Sequence, residues 1–132
     1  MTIHLEKSQS GRYRQTIRID QHSIFSDADV ALGGDDSAPD PHDLYDASLA
    51  ACKAMTLLMY AQRKKIALTS VDIDIERDNS CEGKGVYVLN VSLTLNGDLT
   101  DEQRQSLGAI ADKCPIHKLM TSVSTEVNTV VL

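Results

Sequence analysis

The stretch PHDLYDASLAACKAMTLLMYAQRKK, residues 41–65, decides the architecture. After Pro41 it contains neither Gly nor Pro, and Leu44, Ser48, Ala51, Met55, Leu58 and Met59 recur at three- and four-residue spacing. That period describes one face of an α-helix. At 1.5 Å per residue the segment would span about 37 Å, far beyond an average helix and enough to cross a small domain. It is predicted to be the central element. Asp40 can cap its start, Pro41 suits the first helical position, and Arg63-Lys64-Lys65 complement the dipole at its end. The middle, Ala47-Ser48-Leu49-Ala50-Ala51-Cys52-Lys53-Ala54, consists mostly of small side chains. Such a surface admits close approach of another backbone, leaves room for a ligand, or simply reflects good helix propensity.

Upstream, Ala31-Leu32-Gly33-Gly34-Asp35-Asp36-Ser37-Ala38-Pro39-Asp40-Pro41 excludes regular structure. Paired glycines and two prolines make it a loop. It is not a phosphate cradle, because acids stand where phosphate would sit and there is no Lys. Before it, Tyr13, Gln15, Ile17 and Ile19 interleave with Arg14, Thr16 and Arg18, Asp20-Gln21-His22 reads as a turn, and Ser23-Ile24-Phe25 follows. This is a β-meander pattern.

Downstream, Val71, Ile73 and Ile75 alternate with Asp72, Asp74 and Glu76, and Tyr87, Leu89, Val91, Leu93 and Leu95 alternate with Asn90, Ser92 and Thr94. Two half-buried antiparallel strands are predicted, joined by a hairpin connection over residues 79–85. Thr100-Asp101-Glu102-Gln103 has the order of a capping box and opens a helix whose Leu107, Ile110, Ala111 and Cys114 share one face. Pro115 would break that helix and begin a short new one reaching about Thr121. Val123, Thr125, Val127, Thr129 and Val131 then predict a closing strand. The element order is βββ-α-ββ-α-β, an α+β class, and residues 1–132 read as a single domain without internal repeats.

Composition narrows the function. With 42% hydrophobic and 24% charged residues the chain should fold. A net charge of −6 disfavours nucleic acid and anionic lipid as partners, and aromatic content of 4% removes the stacking residues of single-strand binders. No apolar run approaches the ~20 residues of a membrane span. The first residues, MTIHLEKSQSGRYRQ, carry no secretory pattern, so a reducing cytoplasmic location is expected.

The three thiols, Cys52, Cys81 and Cys114, are therefore small core residues, metal ligands or redox groups. Cys114, as N-cap of the turn at Pro115, would face unpaired N–H groups with His117 and Lys118 one turn on, conditions that favour thiolate. Cys52 lies mid-helix and would need an external cation, for which Arg12, Arg14 and Arg18 are candidates. Cys114 and His117 could share a face as zinc ligands, but no paired ligand motif supports a metal, and none is expected. Cys81 lies in the hairpin connection and takes no role. His42 is either a site residue or a solvated first-turn side chain.

The loop from Ala31 through Asp43-Leu44, running into Ala50-Ala51-Cys52-Lys53-Ala54-Met55-Thr56-Leu57, resembles the first motif of the OsmC/Ohr family, the osmotically inducible and organic hydroperoxide resistance proteins. Ala111-Asp112-Lys113-Cys114-Pro115-Ile116-His117-Lys118-Leu119-Met120 resembles its second. The resemblance covers essentially the whole chain, closest to an uncharacterised OsmC-like subgroup. It implies an intertwined homodimer whose antiparallel sheets wrap around long central helices. It also implies a thiol peroxidase in which Cys52 is peroxidatic and Cys114 resolving, acting on organic hydroperoxides without a cofactor. The disulfide would be regenerated by a dithiol such as a lipoylated protein. Where the family's hydroperoxidases carry a Glu ten residues before the first cysteine, this chain has His42. The rival reading is a non-peroxidatic protein binding a small apolar ligand in the dimer pocket.

Overall fold

The structure, a computed structural model, describes all of residues 1–132. It is α+β, with antiparallel sheets and helices in the order β1 (Ile3–Lys7), β2 (Gln15–Ile19), β3 (His22–Ser26), α1 (Pro41–Lys64), β4 (Leu68–Asp78), β5 (Val88–Gly97), α2 (Asp101–Ala111) and α3 (Pro115–Ser122). Two compact units, Met1–Ala47 and Ser48–Leu132, divide the chain within α1.

In the first unit β1, β2 and β3 form a consecutive antiparallel sheet, with Leu5 opposite Ile17 and Ile17 opposite Ile24. The reversal between β2 and β3 uses Asp20 at φ 51° with Gln21, so His22 belongs to β3 and not to the turn. The following loop is ordered by a buried carboxylate. Asp27 accepts from the Ala28 N–H at 2.8 Å, from the Ser37 N–H at 3.1 Å and from the Ser37 hydroxyl at 2.6 Å. Ser26 donates to the Pro39 carbonyl at 2.9 Å. Gly34 is required because a Cβ there would strike the Ala28 carbonyl.

In the second unit β4 and β5 pair over their whole length, with Val71 opposite Leu95, Ile73 opposite Leu93 and Ile75 opposite Val91. Alternation therefore stacks the apolar side chains on one face, as the sequence pattern predicts. The Thr100 capping box forms as predicted: Thr100 Oγ1 accepts from the Gln103 N–H at 3.1 Å, and the Gln103 side chain accepts from the Thr100 N–H at 3.0 Å. Leu57 and Ala61 of α1 pack with Leu107 and Ala111 of α2 as the core, flanked by Ile66, Val71, Leu93 and Leu95.

The single chain exposes one apolar face of α1, and one expectation, the closing strand, is corrected. The α1 face carrying Ala51, Met55, Leu58 and Met59 is exposed in the single chain, with Met55 at 57% and Met59 at 62%. The buried face is Leu49, Lys53, Leu57 and Ala61, at strict i+4 spacing. Both faces carry helical periodicity, and period alone does not say which one meets the rest of the chain. Residues 123–132 form no strand, because their alternating valines find no partner edge within the chain, and Val131 is 97% exposed.

Candidate functional site

The second unit gathers Cys52, Lys53, Asp112, Cys114 and His117 where α1 passes the corner between α2 and α3. Pro115 creates the corner. It ends one helix and starts the next, and Asp112 and Lys113 turn the chain so that Cys114, the third residue between the helices, becomes the N-cap of α3 with φ −66° and ψ 146°. Its sulfur accepts the His117 N–H at 3.3 Å. Cys114 is fully buried, whereas Cys52 is half-buried, and the two side chains interact directly. The thiols are thus neighbours of unequal accessibility, held by different helices.

Burial pushes the Cys114 thiol up from its ordinary value, and this outweighs the downward pull of the His117 N–H and of the Lys53 charge; the neighbouring Cys52 adds to the rise. The thiolate-favouring reading from the N-cap position alone is therefore corrected. The donors are present, but a sulfur with no exposed surface loses more hydration than they replace.

The cation at this corner is Lys53, which the sequence reading passed over. It is 2% exposed. Its ammonium donates to the Ala111 carbonyl at 2.7 Å and to His117 Nδ1 at 2.9 Å, and lies 3.7 Å from Asp112 Oδ1. An ammonium has only donors, so His117 must accept at Nδ1 and carry its proton on Nε2. Ala111 closes α2, so the positive group sits on the carbonyl end of that helix, the favourable sign for its dipole. The signal was readable: a lysine in line with Leu49, Leu57 and Ala61 has apolar residues four before and four after it, a pattern of a buried cation that needs partners.

The remaining sequence candidates lie in the first unit. Arg14 donates to the Ser37 carbonyl at 3.1 Å and hydroxyl at 2.9 Å, and stacks over Phe25 at 4.2 Å. Arg12 lies 5.9 Å from the centre of the Tyr13 ring, and Arg18 pairs with Glu6 at 2.7 Å. His42 is the second residue of α1 and is exposed. Cys81 is exposed in the hairpin. No three His, Cys, Asp or Glu side chains converge as a metal site, and His117 Nδ1 is already engaged by Lys53.

Cys52 and Cys114 are thus neighbours beside a buried ammonium, in an α+β frame of antiparallel sheets and a long helix. Residues 34–129 match the family model described as OsmC-like protein, so the chain belongs to the OsmC-like family. No curated protein sequence matches it. Among solved structures it is similar to a Psychrobacter arcticus protein named for osmotic stress induction and detoxification, with TM-score 0.75 and 21% identity over 89% of this chain and 86% of that one. It is likewise similar to an OsmC-like protein of Mycoplasma pneumoniae, with TM-score 0.73 and 20% identity over 92% and 87%. An organic hydroperoxide resistance protein of Legionella pneumophila aligns with TM-score 0.63 and 21% identity over 92% and 90%. These likenesses establish the fold. No helix is long and apolar enough to cross a membrane.

Proposed function

We propose that the protein is a thiol peroxidase for organic hydroperoxides, with Cys52 as the attacking thiol and Cys114 as the resolving one. The observation that carries this reading is the contact between a partly accessible Cys52 and a fully buried Cys114. Family membership supports the peroxide-related role. The Cys52 thiolate attacks the outer oxygen of R–O–OH, breaking the O–O bond. Sulfur becomes Cys52–S–OH, and the departing alkoxide takes a proton to leave as alcohol. Cys114 thiolate then displaces hydroxide from that sulfur, giving the Cys52–Cys114 disulfide. A dithiol, such as a lipoylated protein, returns both thiols by exchange and is itself oxidised to a disulfide. An inaccessible resolving thiol suits this order, because it is protected from peroxide and meets only the sulfur beside it.

The working form is proposed as an intertwined homodimer. All the buried hydrophobic side chains belong to the second unit, while Ile3, Leu5, Ile24 and Phe25 of the first sheet and Met55, Leu58 and Met59 of α1 are all at least 40% exposed. Apolar surface of that extent calls for a covering partner, and a second copy would also give residues 123–132 a strand edge to pair with.

The test is steady-state reduction of cumene hydroperoxide by a dithiol. Turnover should fall to background in Cys52→Ser, while Cys114→Ser should accumulate a sulfenic acid that dimedone traps. Full turnover in Cys52→Ser would exclude the reading. Thiols inert to peroxide, together with a retained small apolar molecule, would support a binding protein instead.

A further inference from the structure

We propose that Lys53 is the positioning residue of the resolving step: its buried ammonium holds the α2–α3 corner and supplies the positive charge under which Cys114 loses its proton and attacks Cys52. In its peroxide step this rests on the reading above; the exchange step between the two sulfurs does not.

Three observations carry it. First, Lys53 lies in the buried stripe of α1, immediately after Cys52, and its ammonium bonds to the last carbonyl of α2 and to a side chain in the first turn of α3. One side chain therefore ties the helix bearing one thiol to the two ends that position the other. Second, the charge is only partly balanced where it sits. Its two short contacts are to a neutral carbonyl and a neutral imidazole, and the carboxylate of Asp112 is 3.7 Å away and largely in solvent. In a buried site such a charge acts on neighbouring ionisable groups with little screening, and Cys114 is one of them beside His117 and Asp112. Third, His117 is removed as a base. Its Nδ1 lone pair takes the Lys53 proton donor and its Nε2 carries hydrogen, so the imidazole does not take the Cys114 proton. What remains to stabilise the thiolate is the His117 N–H at 3.3 Å and the Lys53 charge.

The step balances as follows. Cys114–SH gives up its proton. Its thiolate forms the S–S bond to Cys52–S–OH as the S–O bond breaks, and hydroxide leaves to combine with the released proton as water. Cys52 sulfur is reduced from the sulfenic to the disulfide level, and Cys114 is oxidised to it. The titratable groups around Cys114 are Cys52 and Lys53 of α1, Asp112 at the end of α2 and His117 of α3.

The experiment uses the full chain carrying Cys81→Ser, so that two thiols remain. Methyl methanethiosulfonate converts Cys52 to a methyl mixed disulfide, and mass spectrometry follows the release of methanethiol as Cys114 closes the internal disulfide, across a range of pH. Lys53→Met, Lys53→Gln and Lys53→Arg are compared with the parent, and a parallel arm uses cumene hydroperoxide. Gln retains donors for the same acceptors without the charge, so it separates charge from scaffolding and provides a second variant if Met disturbs the fold. Closure at neutral pH should slow about tenfold in the Met and Gln variants, with the pH profile displaced about one unit to the alkaline side, and Arg should restore it. A Gln variant with the parent's rate and profile would overturn the proposal, as would slow closure with an undisplaced profile, the mark of a purely structural lysine. If cumene hydroperoxide leaves Cys52 unoxidised while the exchange arm shows the displaced profile, the peroxidase reading fails and the Lys53 assignment stands.

Discussion

Each unit of the molecule buries charged side chains, and Asp27 of the first and Lys53 of the second are handled in opposite ways. Asp27 in the first unit receives three hydrogen bonds from Ala28 and Ser37, and these donors hold its carboxyl below the usual carboxylate range. Its charge is consumed in fixing the loop that leads to α1. Lys53 in the second unit bonds to neutral acceptors, with its only acidic neighbour 3.7 Å away in solvent. Its charge is left to act on the buried sulfur beside it. A buried ion that is fully surrounded by donors organises backbone, whereas one whose partners only partly compensate its charge perturbs its neighbours. The same sequence feature, a charged residue among apolar ones, thus marks a structural anchor in one place and a candidate site in the other.

This contrast can be broken in several places. The largest effect is expected at the thiols: Cys52→Ser should bring hydroperoxide turnover to background in a dithiol-coupled assay. Next is the core on which the thiol corner rests. Leu57 is fully buried against Ala61, Leu107 and Ala111, so Leu57→Ala should lower unfolding stability by about 3 kcal/mol in denaturant titration. Ile24→Ala, on the exposed first sheet, should do less in monomeric protein, which locates the single-chain core in the second unit.

Two smaller effects lie at opposite ends of the pH scale. Asp27 has a lowered folded pKa, so the unfolded chain binds more protons than the folded one as acid is added. Its stabilisation is present above the ordinary carboxyl value of about 3.9 and is lost as pH falls through the folded value. The difference in melting temperature between wild type and Asp27→Asn should therefore be full at neutral pH and close in acid. Cys114 has a raised folded pKa, so the sign reverses: its contribution is present below the ordinary thiol value of about 8.5 and is lost as pH climbs through the folded one. The alkaline decline of the melting temperature should flatten in Cys114→Ala, the smallest effect of the set.

The legible parts of the sequence were those determined by local chemistry. Thr100 and Gln103 cap α2 because their side chains reach two N–H groups within four residues, and Pro115 starts α3 because its ring suits the first helical position. The strand pair β4 and β5 follows from simple alternation. What was not legible depends on which surface meets which. The α1 helix carries two apolar faces, and the one bearing Met55 and Met59 was as periodic as the one bearing Leu57, so Lys53 was counted on neither. The valines of residues 123–132 alternate as a strand does, but a strand exists only where an edge receives it. For Cys114 the N-cap position was readable and its state was not, because the outcome depends on full burial outweighing two favourable donors.

The pairing of Cys52 with Cys114 is the central claim, and mass spectrometry of the full-length protein treated with one equivalent of cumene hydroperoxide tests it most directly. The account predicts a peptide pair linked between Cys52 and Cys114, with Cys81 still free. Cys52 recovered unmodified, or oxidised to sulfinic acid while Cys114 stays a free thiol, would contradict it.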